Sequence, residues 1–433
     1  MLVERRQSRN DKAVCNARQS GAGPVSVHPP STFSRVLVVA QSAPWPPRGG
    51  GDLRTANTLA ALVSAGLRTG LVALTRPRTP LDRHDGVETW LPLRAEPAAE
   101  DPARALDWIR EPGGHPSDRW WTSQARTTVE EAIAELDPQL VVLEHLWTRR
   151  TLELDSCSSR RTVLGSQNVE GPLHEALARS PQRRAPAALA TLMARRTTEI
   201  EATTVAQVDQ VWACSTADAE SFRAHYPECA PVEIIPNAIE IGALRADSPP
   251  LERPLLLFIG SFGYPPNVDA ALWLGEQLIP ALRAGGIDAR LRLIGADAPE
   301  PVRALTADPA IEVEGFVDDL QPHLEEASLI PVPIFAGGGT RYKVLEAFGT
   351  GIPVISTGKG VEGIDAVPGE HYLAAETVEE FSTAVSALCR DRDLGLRLTR
   401  AARALVEASY SNEAMYRRVA AALAELSRAS HAR

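Results

Sequence analysis

The sequence predicts an α/β protein built from two doubly wound domains that face each other across a cleft. Three observations carry that expectation. Short apolar runs alternate with longer stretches of helical periodicity, and the alternation starts twice, at Arg35 and again at Leu255. Between the two series lies GALRADSPPLERP (242–254), rich in turn residues and weak in periodicity. The chain has 433 residues, 44% of them apolar, which is too many for one compact core and about right for two.

In order along the chain, RVLVVA (35–40) reads as a strand, a Pro/Gly loop follows, and DLRTANTLAALVSAG (52–66) reads as a helix. Further strand-like runs are Leu71 to Leu74, Leu140 to Leu143, Val163 to Ser166 and Val211 to Ala213. The second half repeats the scheme with LLLFIG (255–260), RLRLIG (290–295), IEVEGF (311–316), SLIPVP (328–333) and IPVIS (352–356). Two closing helices fill 391–428, interrupted at Tyr410 to Asn412. The expected limits are a disordered extension at 1–33, an N-terminal domain at 34–240, a C-terminal domain at 241–410, and a helix at 411–433 packing back toward the first domain.

A net charge of −10 argues against sequence-independent nucleic-acid binding, which needs a basic face. Any anionic ligand must then meet local basic residues. The five cysteines, at 15, 157, 214, 229 and 389, make no C-x-x-C pair and no even framework, which fits a reducing compartment. No run approaches the roughly 18 apolar residues of a spanning helix, and 1–30 holds no apolar signal-peptide core, so a cytoplasmic location is expected. The N-terminal tail carries Arg5, Arg6, Arg9, Lys12 and Arg18; a solvated extension and a peripheral membrane contact are its two readings.

The stretch FAGGGTRYKVLEAFGTGIPVIS (335–356) places three glycines, Arg341 and Lys343 where a helix starts. Unpartnered N–H groups at a helix N-terminus favour an anion, and glycine lets a ligand approach the backbone. Glu346, a turn further on, has the acceptors to hold two vicinal hydroxyls such as those of a ribose. The same residues also fit a plain tight turn with Lys343 and Glu346 as a solvated pair. Two known motifs fail: Tyr342 stands where a dinucleotide fingerprint needs glycine, and Pro353 stands where a P-loop needs one before TGKG. A second glycine loop, SAPWPPRGGGDLRTAN, sets Gly49, Gly50 and Gly51 between the first strand and first helix, beside Arg48 and Arg54. Two such loops, one per domain, point to a phosphate or diphosphate held between two helix N-termini.

From Arg35 onward the chain resembles the retaining nucleotide-sugar glycosyltransferases of family 4, which have two Rossmann-like domains in the GT-B architecture. GGGTRYKVLEAFGTGIPVIST carries most of the resemblance, with IIPNAIE, LLLFIGSFGYPPNVDAALWL and PPRGGGDLRTANTLAALVSAG in support. TVLGSQNVEG is similar to a stretch of one subgroup that builds cell-surface or secondary-metabolite sugars. The resemblance implies transfer of a sugar from a nucleoside-diphosphate sugar to an acceptor hydroxyl with retention of configuration, without a metal or other cofactor. It places Gly338, Gly339, Thr340 and Arg341 in the turn facing sugar and diphosphate, Glu346 on the donor ribose, and Gly50 and Gly51 beside the phosphates. Gln167 and Asn168 fall on the acceptor side.

Three departures from the family pattern stand out. Gly338 occupies the position, eight before Glu346, where a sugar-contacting glutamate is usual. The Arg and Lys expected after FIG are replaced by SFGYPPN (261–267), so Arg341 and Lys343 are the nearest cations for the leaving diphosphate. Gln167 stands where the subgroup often has histidine, leaving His145 as the N-domain imidazole, read either as a cleft residue or as a structural pair with Glu144. Asn267 reads as a helix cap, Trp120 and Trp121 as a buried or interface pair or as a stacking surface for an acceptor ring, and LHEALA (173–178) fails as a zinc helix because Ala178 replaces the second histidine. Rival readings are a catalytically silent nucleotide-sugar-binding partner subunit, and an epimerase or phosphorylase on the same architecture. A nicotinamide oxidoreductase is disfavoured by the failed fingerprint.

Overall fold

The computed structural model describes residues 33–47, 49–75, 86–91, 108, 111, 113–179, 185–242, 244, 252–317, 319–339 and 341–431. Residues 1–32 of the expected extension, Arg48 and Thr340 lie outside the described residues. Phe33, counted with that extension, is buried in the core beside Val36 and Leu67.

In the first half β1 (Arg35–Ala40), β2 (Arg68–Ala73), β3 (Val87–Trp90), β4 (Leu140–Glu144), β5 (Arg161–Gly165), β6 (Gln210–Ala213) and β7 (Val232–Ile234) form one parallel sheet. Its order is β3-β2-β1-β4-β5-β6-β7. The central strands are near-continuous apolar runs because helices cover both faces: α1 (Gly50–Ser64), α2 (Ser123–Leu136), α3 (Glu170–Arg179), α4 (Ala187–Gln207) and α5 (Thr216–His225). The edge strands VETW and VEI escape a sequence reading because they are short, carry charge and lie half-exposed.

In the second half β8 (Leu255–Ile259), β9 (Arg290–Ile294) and β10 (Ile311–Glu314) pair in the order β10-β9-β8, and β11 (Ile330–Val332), β12 (Val354–Ser356) and β13 (Leu373–Ala374) pair in sequence. A bridge between Leu256 and Leu329, with Leu257 N–H donating to Leu329 O at 3.1 Å, sets β8 beside β11. The helices here are α6 (Pro265–Trp273), α7 (Ile279–Ala284), α8 (Glu300–Ala304), α9 (Gln321–Glu326), α10 (Tyr342–Thr350), α11 (Val378–Arg390) and α12 (Arg392–Ser409). Strand order thus reverses at β1/β4 in one half and at β8/β11 in the other. Such switch points open crevices at the carboxyl ends of the strands.

The last helix, α13 (Asn412–His431), returns to the first half. Its Met415, Val419, Ala422, Leu423 and Leu426 are buried with Val36 and Val38 of β1, Leu59 and Leu62 of α1, and Trp212. The chain reaches it through a bridge from Ile239 to Ser411, so the linker between the halves and the start of α13 run side by side. Among the described residues no helix is long and apolar enough to cross a membrane.

Leu423 is fully buried in this contact, so Leu423→Ala removes transfer free energy and leaves a cavity between α13 and the first sheet. The expected loss is about 2–5 kcal/mol in urea denaturation. A loss under about 0.5 kcal/mol would show that α13 contributes little to the first core.

Candidate functional site at the seam between the two halves

The site is built on the turn after β11. Gly337 and Gly339 have φ of +104° and +81°, a left-handed backbone that favours glycine. A β-carbon at Gly337 would collide with the hydroxyl of Tyr264, from the loop after β8, and Gly338 N–H donates to that hydroxyl at 3.2 Å. The guanidinium of Arg341 closes the turn by donating from Nη1 to Gly338 O. Its Nε and Nη2 are buried without a hydrogen-bond partner among the described residues, although Arg341 is only 8% exposed. Two charged donor groups therefore lie ready for an anion.

Lys343 is equally buried, which removes the solvated-pair reading. Its Nζ donates to Asn267 Oδ1 at 2.9 Å and lies 3.9 Å above the Phe258 ring. Burial, with the nearby positive charge of Arg341, lowers its pKa to about 7, and Glu346 works in the opposite direction. Glu346 is partly exposed, and desolvation raises its pKa against the attraction of Lys343. Asn267 is not the cap of its helix: Tyr264 holds that position, and Asn267 sits in the first turn of α6 with Nδ2 donating to Ser261 O at 2.8 Å. It is a bracket that delivers Lys343 to the loop lacking its own cation.

The N-terminus of α1 meets this turn across the seam. Neither Gly49, before α1, nor Arg341, before α10, caps its helix through a side-chain hydrogen bond, so both N-termini keep donors unassigned to a cap. A β-carbon at Gly50 would stand 3.0 Å from Tyr342 Cδ2, and one at Gly51 2.9 Å from Gln167 Oε1. On the facing side a β-carbon at Gly338 would lie 3.1 Å from Asn168 Oδ1, and one at Gly339 2.9 Å from the same atom. At these four glycines the space of the missing side chain is used by protein packing; Gly49 alone of the first loop faces open space. Beneath α1, buried Arg54 donates to Ile235 O and, at 3.3 Å, to Asn237 Oδ1, tying the loop's helix to the interdomain strand.

His145 follows β4 at φ +80°, a conformation that costs a non-glycine residue about 1–3 kcal/mol. Its N–H donates to Gly165 O at 2.8 Å and its carbonyl accepts from Thr148 Oγ1 at 3.0 Å, which pins it there. The partner of the ring is Glu170, with Nε2 3.4 Å from Oε1, in place of the expected Glu144. Nδ1 is buried without a partner, and burial lowers the imidazole pKa. His145 therefore presents no ring nitrogen freely to the cleft.

Glu170 gathers three donors: His145, His174 Nε2 at 3.5 Å, and Asn168 Nδ2 at 2.9 Å. Burial pushes its carboxyl up, but His174, His145 and Asn168 outweigh burial and hold it below the usual range. The backbone N–H groups of Glu170 and Gly171 donate to Glu201 at 2.8 and 2.7 Å, fixing the start of α3. Trp147 lies between His115 and His145, stacked at 4.7 and 5.1 Å, with His174 edge-on at 6.0 Å. Trp120 and Trp121 are partly exposed elsewhere, Trp120 under the Arg119 guanidinium at 4.6 Å. Among the described residues no group of three or more His, Cys, Asp or Glu side chains is placed to hold a metal ion.

Gly50, Gly51, Gln167, Asn168, Gly338, Gly339, Arg341 and Lys343 thus converge, Glu346 lies one turn along α10, and Thr340 is outside the described residues. Sequence reasoning missed Tyr264, Tyr342, Glu170 and His174. The i,i+4 spacing of Glu170 and His174 on one helix was the available signal for the last two.

Residues 253–391 match the family described as Glycosyl transferases group 1. The sequence matches no curated protein. Among solved structures, the chain is similar to sucrose-phosphate synthase from Thermosynechococcus elongatus, with a TM-score of 0.72 at 16% identity over 92% of this chain and 100% of that one. HepE of Anabaena in complex with UDP-glucose has a TM-score of 0.63 at 14% identity, covering 90% and 99%. WaaG, a glycosyltransferase involved in lipopolysaccharide biosynthesis, has a TM-score of 0.64 at 15% identity, covering 89% and 99%. The chain therefore has the two-Rossmann-domain GT-B fold, and the stretch similar to the group 1 glycosyltransferase family, residues 253–391, carries Arg341, Lys343 and the glycine turn.

Proposed function

We propose that this protein is a retaining glycosyltransferase of family 4 that moves a sugar from a nucleoside-diphosphate sugar to an acceptor hydroxyl, in cell-surface polysaccharide or secondary-metabolite biosynthesis. One observation carries the reading: two helix N-termini without side-chain caps meet at a seam where Arg341 holds two unpartnered buried nitrogens and Lys343 stands beside it. Desolvated cations without an anion are costly, and a diphosphate supplies one. That HepE was crystallised with UDP-glucose makes a UDP-sugar the first donor class to try.

In this reading Arg341 and Lys343 neutralise the leaving diphosphate, the N-termini of α1 and α10 add their dipoles, and Glu346 accepts from the ribose hydroxyls. Gln167 and Asn168 form the acceptor-side wall, and His145 acts through Glu170 by holding it in place. No carboxylate nucleophile is assigned. The C1–O bond to phosphate breaks as the acceptor oxygen bonds to C1 on the same face, and the hydroxyl proton passes to the departing phosphate oxygen. Catalysis is then positioning and charge stabilisation.

A thermal-shift panel of nucleoside diphosphates and their sugars tests the reading. A ligand at a hundredfold over its Kd stabilises by about 2.7 kcal/mol, and no shift with any of them sinks it. Release of nucleoside diphosphate from the matching sugar separates an enzyme from a silent binder. Arg341→Ala and Lys343→Ala are each expected to weaken diphosphate binding about 10- to 100-fold, as loss of a charge-assisted hydrogen bond does. Unchanged affinity and turnover in both would remove these residues from the donor site.

The pH dependence follows from Lys343, whose pKa in the folded protein is lowered to about 7. A bound diphosphate favours the protonated amine, so above about pH 7 binding takes up a proton and affinity falls as pH rises. Below that value the lysine is already charged and its contribution is flat. Stability of the free protein runs the other way: the unfolded chain keeps this proton up to the ordinary lysine range, so stability rises with pH from about 7 into that range. Calorimetry in buffers of different ionisation enthalpy should show proton uptake at pH 8 that Lys343→Gln abolishes; equal uptake in both proteins would assign it elsewhere.

A further inference from the structure

We propose that His174 is an acceptor-recognition residue whose Nδ1 accepts a hydrogen bond from a hydroxyl beside the reacting one, so that the acceptor is a neutral polyhydroxylated molecule such as a sugar or polyol. The inference rests on the glycosyltransferase reading and extends it to the second substrate.

Of the imidazoles gathered around Trp147, His115 and His145 have their ring nitrogens committed or buried. His115 Nδ1 lies 2.9 Å from Ser117 Oγ and its Nε2 3.2 Å from Thr197 Oγ1, while His145 Nδ1 is enclosed. His174 differs. Its Nε2 faces Glu170 at 3.5 Å, and with that carboxylate ionised the ring carries its proton on Nε2 and leaves the Nδ1 lone pair free. The side chain is 23% exposed, and Nδ1 has no hydrogen-bond partner among the described residues.

Placement ties it to the seam. Leu173 packs against Gly338, with Cδ2 3.2 Å from where a β-carbon would be, and Asn168, whose Oδ1 lies against Gly338 and Gly339, donates from Nδ2 to Glu170. His174 therefore follows, on α3, a residue in direct contact with the turn assigned to the donor. The charged groups around it are internally matched: Glu170 has three donors, and Asp118 takes Arg149 at 2.7 Å and Arg150 at 2.8 Å. Glu175, the next residue on α3, pairs with Arg179 at 3.0 Å. A wall of matched charges with one open lone pair suits neutral hydroxyls better than a phosphorylated or carboxylated acceptor.

The test uses the full chain with UDP-glucose, or the nucleotide sugar giving the largest thermal shift, and two acceptor probes: methyl α-glucoside as a polyol and benzyl alcohol as a lone hydroxyl. His174→Phe should lower kcat/KM for methyl α-glucoside about 10- to 100-fold more than it lowers that for benzyl alcohol. His174→Asn, which keeps an acceptor oxygen, should restore much of the rate. Equal losses with both probes, no loss with either, or a wild-type protein that binds the nucleotide yet never uses the polyol, would overturn the inference. If no nucleotide binds, the glycosyltransferase reading fails instead. Diethyl pyrocarbonate then still tests the open Nδ1: His174 should be carbethoxylated before His115 and His145, and labelling no faster than theirs overturns it.

Discussion

The site depends on how closely the two halves approach at the seam between α1 and α10. Tyr342 lies over Gly50, Gln167 over Gly51, and Asn168 over Gly338 and Gly339, each at a distance that a β-carbon would fill or block. Removing four side chains from the contact lets two helix N-termini come together, which brings their dipoles to one place. Two positive ends at one place repel without an anion between them. The seam is therefore electrostatically incomplete by construction, and the buried free nitrogens of Arg341 express that at atomic scale.

Burial explains how Lys343 behaves. On a solvated helix face it would stay charged to high pH; here burial brings its pKa to about 7, while Asn267 Oδ1 and the Phe258 ring partly replace water. Burial gives each cation more leverage on a ligand than it would have on the surface, because the attraction is less screened. Tyr342 makes the cost two-sided. Its hydroxyl is buried without a hydrogen-bond partner among the described residues, as are both carboxylate oxygens of Glu144 and two nitrogens of Arg54. Function has been placed where packing is tight and hydrogen bonding is not.

Much of this was legible in the sequence, because the fold's determinants are local. RVLVVA and LLLFIG announce central parallel strands, and GGG before a helical pattern announces an uncapped N-terminus in each half. Their meeting follows from strand order, since reversals at β1/β4 and β8/β11 put both loops at carboxyl ends. What the sequence hid is relational. Asn267 looked like a cap because Pro265 and Pro266 precede it, but the helix begins at Pro265 and the amide is free to bind Lys343, 76 positions away. For His145 the sequence leaves a cleft residue and a pair with Glu144 as the two readings, yet the left-handed turn just past β4 carries the ring away from its neighbour, and its partner is Glu170 on another element. LHEALA fails as a metal helix, and its His174 pairs instead with Glu170, one turn earlier on the same helix.

The same packing accounts for Gly338 itself. A side chain there would meet Asn168 Oδ1 at 3.1 Å and the Leu173 methyls at 3.2 and 3.3 Å, so a glutamate would have to push the ends of both side chains aside. Turning Asn168 away would strain its bond to Glu170. Glycine at 338 and the wall built on Glu170 are thus coupled through Asn168. Glycine at 338 lets the first half of the chain press an uncharged amide against the turn, and that half's carboxylate stands one layer back, on Glu170. With no carboxylate facing the turn from that side, Arg341 and Lys343 are opposed there by Glu346 alone of the groups named, one turn along α10, and keep the sign of field a diphosphate requires.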